Sequence, residues 1–327
     1  MPGALQFFGS PFVAVDIPKY SGHPAEFLSI KTTSDGEASY TKIFSKRSDI
    51  LFYSGNCALF NDGTVTCWLN DDDKLLILPT PKVSSRFVQV ASGWRHFIAL
   101  CEDGHVLCWW AEDAKQQTKI PADLKDVVAV TASREASHAL TKNGDVISWG
   151  VEKETSHPKT LKSIIQIQGT VGLTSAGQVV PWGLDDLGDI CFPVPSKMPK
   201  IKNLTCGVGG FDESSAPVAI TEEGRLKGFG HHWEQLDQNF KEIKKKVKKV
   251  SINMSGFDAQ GAFVLFEDNT AKYYHFFSER EEDNLSENNP EDYFDAKKFK
   301  NIIDLGVFGP GALGLKSGRG LWVLFDS

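Results

Sequence analysis

Ile98-Ala99-Leu100-Cys101-Glu102-Asp103-Gly104-His105-Val106-Leu107-Cys108-Trp109 is two short apolar runs joined at Asp-Gly, and it is one of a series. Cys57-Ala58-Leu59-Phe60-Asn61-Asp62-Gly63-Thr64-Val65-Thr66-Cys67-Trp68 precedes it, and Ala139-Leu140-Thr141-Lys142-Asn143-Gly144-Asp145-Val146-Ile147-Ser148-Trp149-Gly150 follows. Further copies centre on Gly177, Gly224, Asn269 and, one residue out of register, Gly318. Successive spacings from Gly63 are 41, 40, 33, 47, 45 and 49 residues. Four positions before the turn stand Leu59, Leu100, Leu140, Leu173, Ile220 and Leu265; five after it stand Trp68, Trp109, Trp149, Trp182, Phe229 and Tyr274. Each copy reads as a β-hairpin whose turn needs the positive φ that Gly or Asn tolerates.

Another strand lies upstream of each hairpin. Val88-Gln89-Val90, Val127 to Val130, Ile164 to Ile167, Val250-Ser251-Ile252 and Ile302 to Leu305 are β-branched runs of strand length. Runs such as Val146-Ile147 and Val179-Val180 are apolar on both faces of the pleat, as expected of strands sandwiched between neighbouring sheets. Repeats of 33 to 49 residues built this way predict an all-β, seven-bladed β-propeller with four-stranded blades. The expected organisation is a single domain over 1–327, with seven imperfect repeats over 48–327 and an irregular segment over 1–47. Within that segment Gly3 to Gly9 matches the second half of a repeat and would supply a strand that closes the ring; Asp35-Gly36 marks a further hairpin. Just before each aromatic the residue is small, at Cys67, Cys108, Ser148, Pro181 and Gly228, which makes the cysteines packing residues.

A formal charge of -7 argues against a nucleic-acid partner, which wants a basic surface. No stretch reaches 18 consecutive apolar residues, so no membrane span is expected. The six cysteines form no Cys-x-x-Cys pair, which favours a reducing, cytoplasmic setting and no zinc. Three sequons, at Asn203, Asn253 and Asn284, point the other way. Lys241 to Lys249 holds six lysines and reads as a solvated linker before a strand; Glu279 to Asp295 is acidic and reads as a long surface loop.

The copy Val88-Gln89-Val90-Ala91-Ser92-Gly93-Trp94-Arg95-His96-Phe97-Ile98-Ala99-Leu100, continued through Asp103-Gly104 to Trp109, resembles the repeat of the regulator of chromosome condensation family. That resemblance implies a propeller. The glycine-histidine pair is intact only at Gly93 and His96, with His138 in the next copy, and the family's Gly-Gln-Leu-Gly signature is absent; Trp182 to Gly188 is the closest trace. The family includes a guanine-nucleotide exchange factor, a plant ultraviolet receptor and binding scaffolds, so the fold leaves the function open.

In a propeller the connections between first and second strands gather on one face around the axis. Here they carry Trp94, Arg95 and His96; Arg134 and Glu135; Asp212 and Glu213; Asp258 and Gln260. Gly-Phe-Asp recurs at 210–212 and 256–258, as turn chemistry or as paired carboxylates for a cation, a basic side chain or sugar hydroxyls. No nucleophile elbow, P-loop, dinucleotide fingerprint or His-Glu-x-x-His occurs. The reading is a monomeric, non-catalytic binding scaffold with a protein partner and no cofactor. A small-molecule ligand is the lesser option. Two alternatives stand: a guanine-nucleotide exchange factor for a small GTPase, implied by the resemblance, and an enzyme or a cofactor- or sugar-binding protein with its site at the axial mouth.

Overall fold

The computed structural model describes residues 50–54, 57–60, 63–71, 74–93, 96–110, 116–133, 135–151, 155–156, 161–184, 188–206, 217–230, 233–255, 258–275, 302–308, 311–316 and 320–324. The expected N-terminal strand, the 35–36 hairpin and the acidic run 279–295 lie outside them.

The described residues form seven antiparallel sheets in chain order. The first holds β1 (Ile50–Ser54), β2 (Cys57–Phe60), β3 (Val65–Asp71) and β4 (Lys74–Leu78); the second β5 (Phe87–Ser92), β6 (His96–Cys101) and β7 (Val106–Trp110). The third holds β8 (Val127–Ala132), β9 (Ala136–Thr141) and β10 (Val146–Gly150), the fourth β11 (Ile164–Gln168), β12 (Val171–Thr174) and β13 (Val179–Pro181). The fifth is β14 (Ile201–Cys206), β15 (Pro217–Thr221) and β16 (Leu226–Gly228), the sixth β17 (Val247–Ser255), β18 (Asp258–Phe266) and β19 (Ala271–His275). The seventh is β20 (Ile302–Phe308), β21 (Gly311–Lys316) and β22 (Gly320–Leu324). The first strand of each sheet lies beside the first strands of its neighbours, and β20 sits between β17 and β1. The architecture is the all-β propeller class that the repeats predict.

Among the described residues a fourth strand pairs only in the first sheet. After the third strands of the second, fourth and fifth sheets the described residues hold a 3-10 turn at Gln116–Thr118, an isolated bridge between Leu184 and Ile190, and the helix α1 (Trp233–Phe240). Helix α1 buries Leu236 and Phe240 against the fifth and sixth sheets, so an outer helical turn does the covering that an outer strand would do.

The cores lie between successive sheets, not within one. Leu59 and Cys67 pack with Val90, Phe97 and Ala99; Ile98 with Val130 and Trp149; Leu140 with Ile167 and Trp182; Leu173 with Leu204 and Phe229; Ile220 with Val250 and Val264. Each strand is therefore apolar on both sides, and the repeated aromatic is the large side chain filling the gap: Trp182 and Phe229 are buried completely. Cys67 and Cys101 are buried here too, which pushes both thiols up, that of Cys101 to about 11. They are packing residues, as their positions predict. Asn203 is also buried, in β14, so the folded chain cannot present that sequon.

All six described turn residues adopt positive φ: Gly63, Gly104, Gly144, Gly177, Gly224 and Asn269. The turn also holds the next sheet. Phe87, Ile164, Ile201 and Val247 each donate their backbone N–H to the carbonyl of Gly63, Gly144, Gly177 and Gly224, over 3.0, 3.3, 2.8 and 2.8 Å. Gly104 has no such bond to the third sheet; there Gln89 spans the gap, its amide accepting from Val130 N (3.0 Å) and donating to Val130 O (2.9 Å). Gln166 grips Leu204 of the fifth sheet in the same two-bond manner.

One irregularity recurs in all seven sheets. The register of the first strand slips after its first residue, between Ile50 and Phe52, Phe87 and Gln89, Val127 and Ala129, Ile164 and Gln166, Ile201 and Asn203, Val247 and Lys249, Ile302 and Asp304. Such a bulge leaves one residue unpaired and increases the local twist.

The lysine-rich stretch before β17 is tied down locally. Lys245 donates to Asp268 (2.8 Å), whose carboxyl is held near about 2 by that bond, and Lys248 donates to Asn269 (3.1 Å). These pairs fit the solvated-linker reading.

Candidate functional site

The connections between first and second strands lie at the end of each sheet opposite the glycine turns. In the second sheet Gly93 N donates to His96 O (2.9 Å); in the third, Ser133 N donates to Ala136 O (2.9 Å). The same tight turn thus recurs on adjacent sheets. Gly93 is required here because a Cβ would stand 2.5 Å from Ser133 O and 2.2 Å from the His96 ring. His96 reaches across: its Nε2 lies 3.2 Å from Ala136 O and donates to it. In the fourth sheet Gly169 N donates to Thr131 Oγ1 of the third, over 3.0 Å. Three neighbouring connections are thereby locked to one another.

Beneath them lies a buried polar layer. His138 lies 3.0 Å from Ser133 Oγ through Nε2 and 2.8 Å from Ser148 Oγ through Nδ1, and its ring meets Trp182 edge-on. It bridges strands within a sheet. His96 bridges two sheets instead. The buried Gln168 side chain has no hydrogen-bond partner at either amide atom, nor does Thr170 Oγ1.

Burial pushes the His96 imidazole down to about 4 from 6.5, partly opposed by its bond to Ala136. Above pH 6.5 the ring is neutral folded or unfolded and contributes no pH dependence. As pH falls from 6.5 to 4 the unfolded chain binds a proton that the folded chain refuses, so stability falls. The expected loss approaches roughly 3 kcal/mol by pH 4. Urea titrations of wild type and His96→Gln between pH 7 and pH 4 test this: the variant should show the shallower pH slope, and equal slopes would refute the assignment.

Of the residues picked out from sequence, His96 is buried in β6 and acts as a strut, while Glu135 is half-buried in the third sheet's turn. Asp258 opens β18 opposite Ser255, and Gln260 is the residue skipped by the β17–β18 register. Trp94, Arg95, Arg134, Asp212 and Glu213 lie outside the described residues. What the sequence reading missed is the inter-sheet polar set of Gln89, Thr131 and Gln166. The available signal was a glutamine centred in an apolar strand, Val-Gln-Val and Ile-Gln-Ile, at one register of two repeats. No cluster of metal-ligating side chains occurs among the described residues. No helix there is long and apolar enough to cross a membrane.

Residues 87–109 match the model of the regulator of chromosome condensation (RCC1) repeat. Protein pim1 of Schizosaccharomyces pombe (strain 972) is 22% identical, the alignment covering 68% of this chain and 54% of that one, so the chain spans about half the length of this curated relative. Among solved structures, the CRINKLY WD40 ectodomain of the Arabidopsis thaliana receptor kinase ACR4 aligns with a TM-score of 0.51 at 18% identity, over 83% of this chain and 92% of that one. The entire ectodomain of the Physcomitrella patens receptor kinase CR4 gives 0.52 at 15% identity, over 82% and 72%. At these identities the structural likeness speaks to the fold.

Proposed function

We propose that this chain, a propeller carrying the regulator of chromosome condensation repeat, is a binding scaffold that recognises a protein partner through the connections between first and second strands. The observation that carries the reading is the bonding of three adjacent connections to one another through His96–Ala136 and Gly169–Thr131, with no room for a side chain between Gly93 and Ser133. A surface held rigid before encounter loses little conformational entropy on binding. Positions 94, 95 and 134 fall within these turns and offer Trp and Arg, the residue types that anchor protein interfaces. The reading takes the chain as one domain with seven repeats over 48–327, acting as a monomer.

The test is affinity capture on immobilised wild-type protein and on a Trp94→Ala/Arg95→Ala/Arg134→Ala variant, with captured proteins identified by mass spectrometry. A defined set of partners should drop at least tenfold on the variant, while its urea midpoint stays within error. An unchanged partner set would sink the loop-face reading. Guanine-nucleotide exchange is the second reading, resting on the matched repeat; accelerated release of a fluorescent guanine nucleotide from one member of a small-GTPase panel would establish it.

A further inference from the structure

Cys57 and Cys67 stand opposite each other in the first sheet, as Cα partners in the β2–β3 register. Both are completely buried, both belong to the core between the first and second sheets, and both are thiols. Cys67 occupies the position before the aromatic, where every repeat from the first to the fifth has a small residue. Cys57 does not. Six residues before the turn the following repeats carry Ile98, His138, Val171, Val218 and Phe263, so packing does not call for a small side chain there.

Turn geometry fixes how closely the two approach. In the third sheet Thr141 N donates to Asp145 O (2.9 Å) and Gly144 N to Thr141 O (3.0 Å), so Ala139 and Ile147 are the next hydrogen-bonded pair. His138 and Ser148 are then a non-hydrogen-bonded pair, the closer of the two kinds, with Cα atoms typically about 4.5 Å apart. Their side chains meet, His138 Nδ1 lying 2.8 Å from Ser148 Oγ. Cys57 and Cys67 hold the same register in the first sheet, six before and four after the turn glycine. A disulfide needs a Cα separation of about 4.4–6.8 Å and side chains directed at each other. Burial pushes the Cys67 thiol well above its ordinary value, and the neighbouring Cys57 adds to that rise. In the described strands no other cysteine faces a second one: Cys101 pairs with Phe87, Cys108 with Ile98 and Cys206 with Pro217.

We propose that Cys57 and Cys67 are a modification site, oxidised by hydrogen peroxide to a disulfide that ties β2 to β3 within the folded first sheet. One sulfur attacks the peroxide, its O–O bond breaks, and the products are a sulfenic acid and one water. The second sulfur displaces the sulfenic hydroxyl, which leaves with that thiol's proton as a second water while the S–S bond forms. The two thiols lose two electrons and the peroxide gains them. Burial keeps both thiols protonated, so oxidation waits for local opening of the hairpin. Once formed, the bond braces the sheet whose β1 lies beside β20, the junction between the first and last described sheets.

The experiment treats the full chain with hydrogen peroxide, alkylates the remaining thiols in urea and maps tryptic peptides without reduction. Cys57 and Cys67 fall in one peptide, residues 48–74. The expected product is that peptide lighter by two hydrogens and alkylated at neither cysteine. The urea midpoint of the intact chain should rise on oxidation and return when a phosphine reduces it. Cys101→Ser should leave both effects in place, and Cys67→Ser should remove both. The buried serine carries a stability cost of its own, so the rise is read within each variant, oxidised against reduced. Three outcomes would overturn the proposal: a peptide 48–74 that stays alkylated at both cysteines, a linkage from Cys57 or Cys67 to a different cysteine, and a lighter peptide without a rise in the midpoint.

Discussion

Gly150→Ala is expected to lower stability by roughly 3–5 kcal/mol, among the larger effects a single methyl group can have. Gly150 ends β10 at φ 128°, a conformation that side chains disfavour, and costs of about 1–3 kcal/mol attach to such positions. An added Cβ would stand 2.5 Å from Glu135 O and 2.7 Å from Ala136 Cα. These are backbone atoms of the paired strand β9 and its turn, so the conflict is relieved only by displacing the connection that holds Ser133 and Ala136. Overpacking of that kind adds about 1–3 kcal/mol. Gly104→Ala is the matched control. Gly104 also has positive φ, 87°, but nothing stands within 4 Å of an added Cβ, so only the backbone cost of about 1–2 kcal/mol applies. Urea unfolding of the two variants separates the contributions; equal losses would mean that the close approach at Glu135 and Ala136 is relieved without cost.

The second large effect is expected at the glutamine clamps. Gln89 and Gln166 each satisfy one backbone N–H and one backbone C=O of the next sheet from a buried side chain. Truncation to alanine leaves both groups without a partner inside the protein, at about 1–3 kcal/mol each, and opens a cavity as well. Gln89→Ala and Gln166→Ala should therefore each lose roughly 2–5 kcal/mol, and amide exchange should accelerate at Val130 and Leu204 respectively. The leucine variants decide between causes. If hydrogen bonding is responsible, Gln89→Leu restores volume but not stability; if it recovers most of the loss, packing was the larger contribution. The two clamps share no residue, so their losses should add.

The hairpins were legible because a turn residue, an aliphatic residue four before it and an aromatic five after it all have strict physical jobs. Every described turn residue has the positive φ that its identity predicts. The bulges were less legible. Val127-Val128 and Ile164-Ile165 look alike as apolar doublets, and the pattern alone implies that both members are buried. The second member instead stands out in solvent, between buried neighbours on either side, at the slip of register. Among the described residues the outer edge of the second and fifth sheets is covered by a 3-10 turn and by helix α1 where a fourth strand was expected. The candidate site was legible only as a face. Its charged and aromatic residues sit in connections that diverge from copy to copy, whereas the residues that lock those connections, Thr131, Ser133 and Ala136, look like ordinary strand residues.

The bonds from four of the glycine turns to the next sheet run in one direction along the chain. Gly63 comes before Phe87, Gly144 before Ile164, Gly177 before Ile201 and Gly224 before Val247, so the acceptor always precedes its donor. During synthesis, these four first strands leave the ribosome to find their docking carbonyls already made, and assembly can advance vectorially, one sheet at a time. Between the second and third sheets the partner already made is a side chain, since Gly104 offers no such carbonyl bond and Gln89 must be ordered to hold Val130. That junction is where nascent chains should pause longest, and chains arrested soon after residue 130 should be the most sensitive to protease.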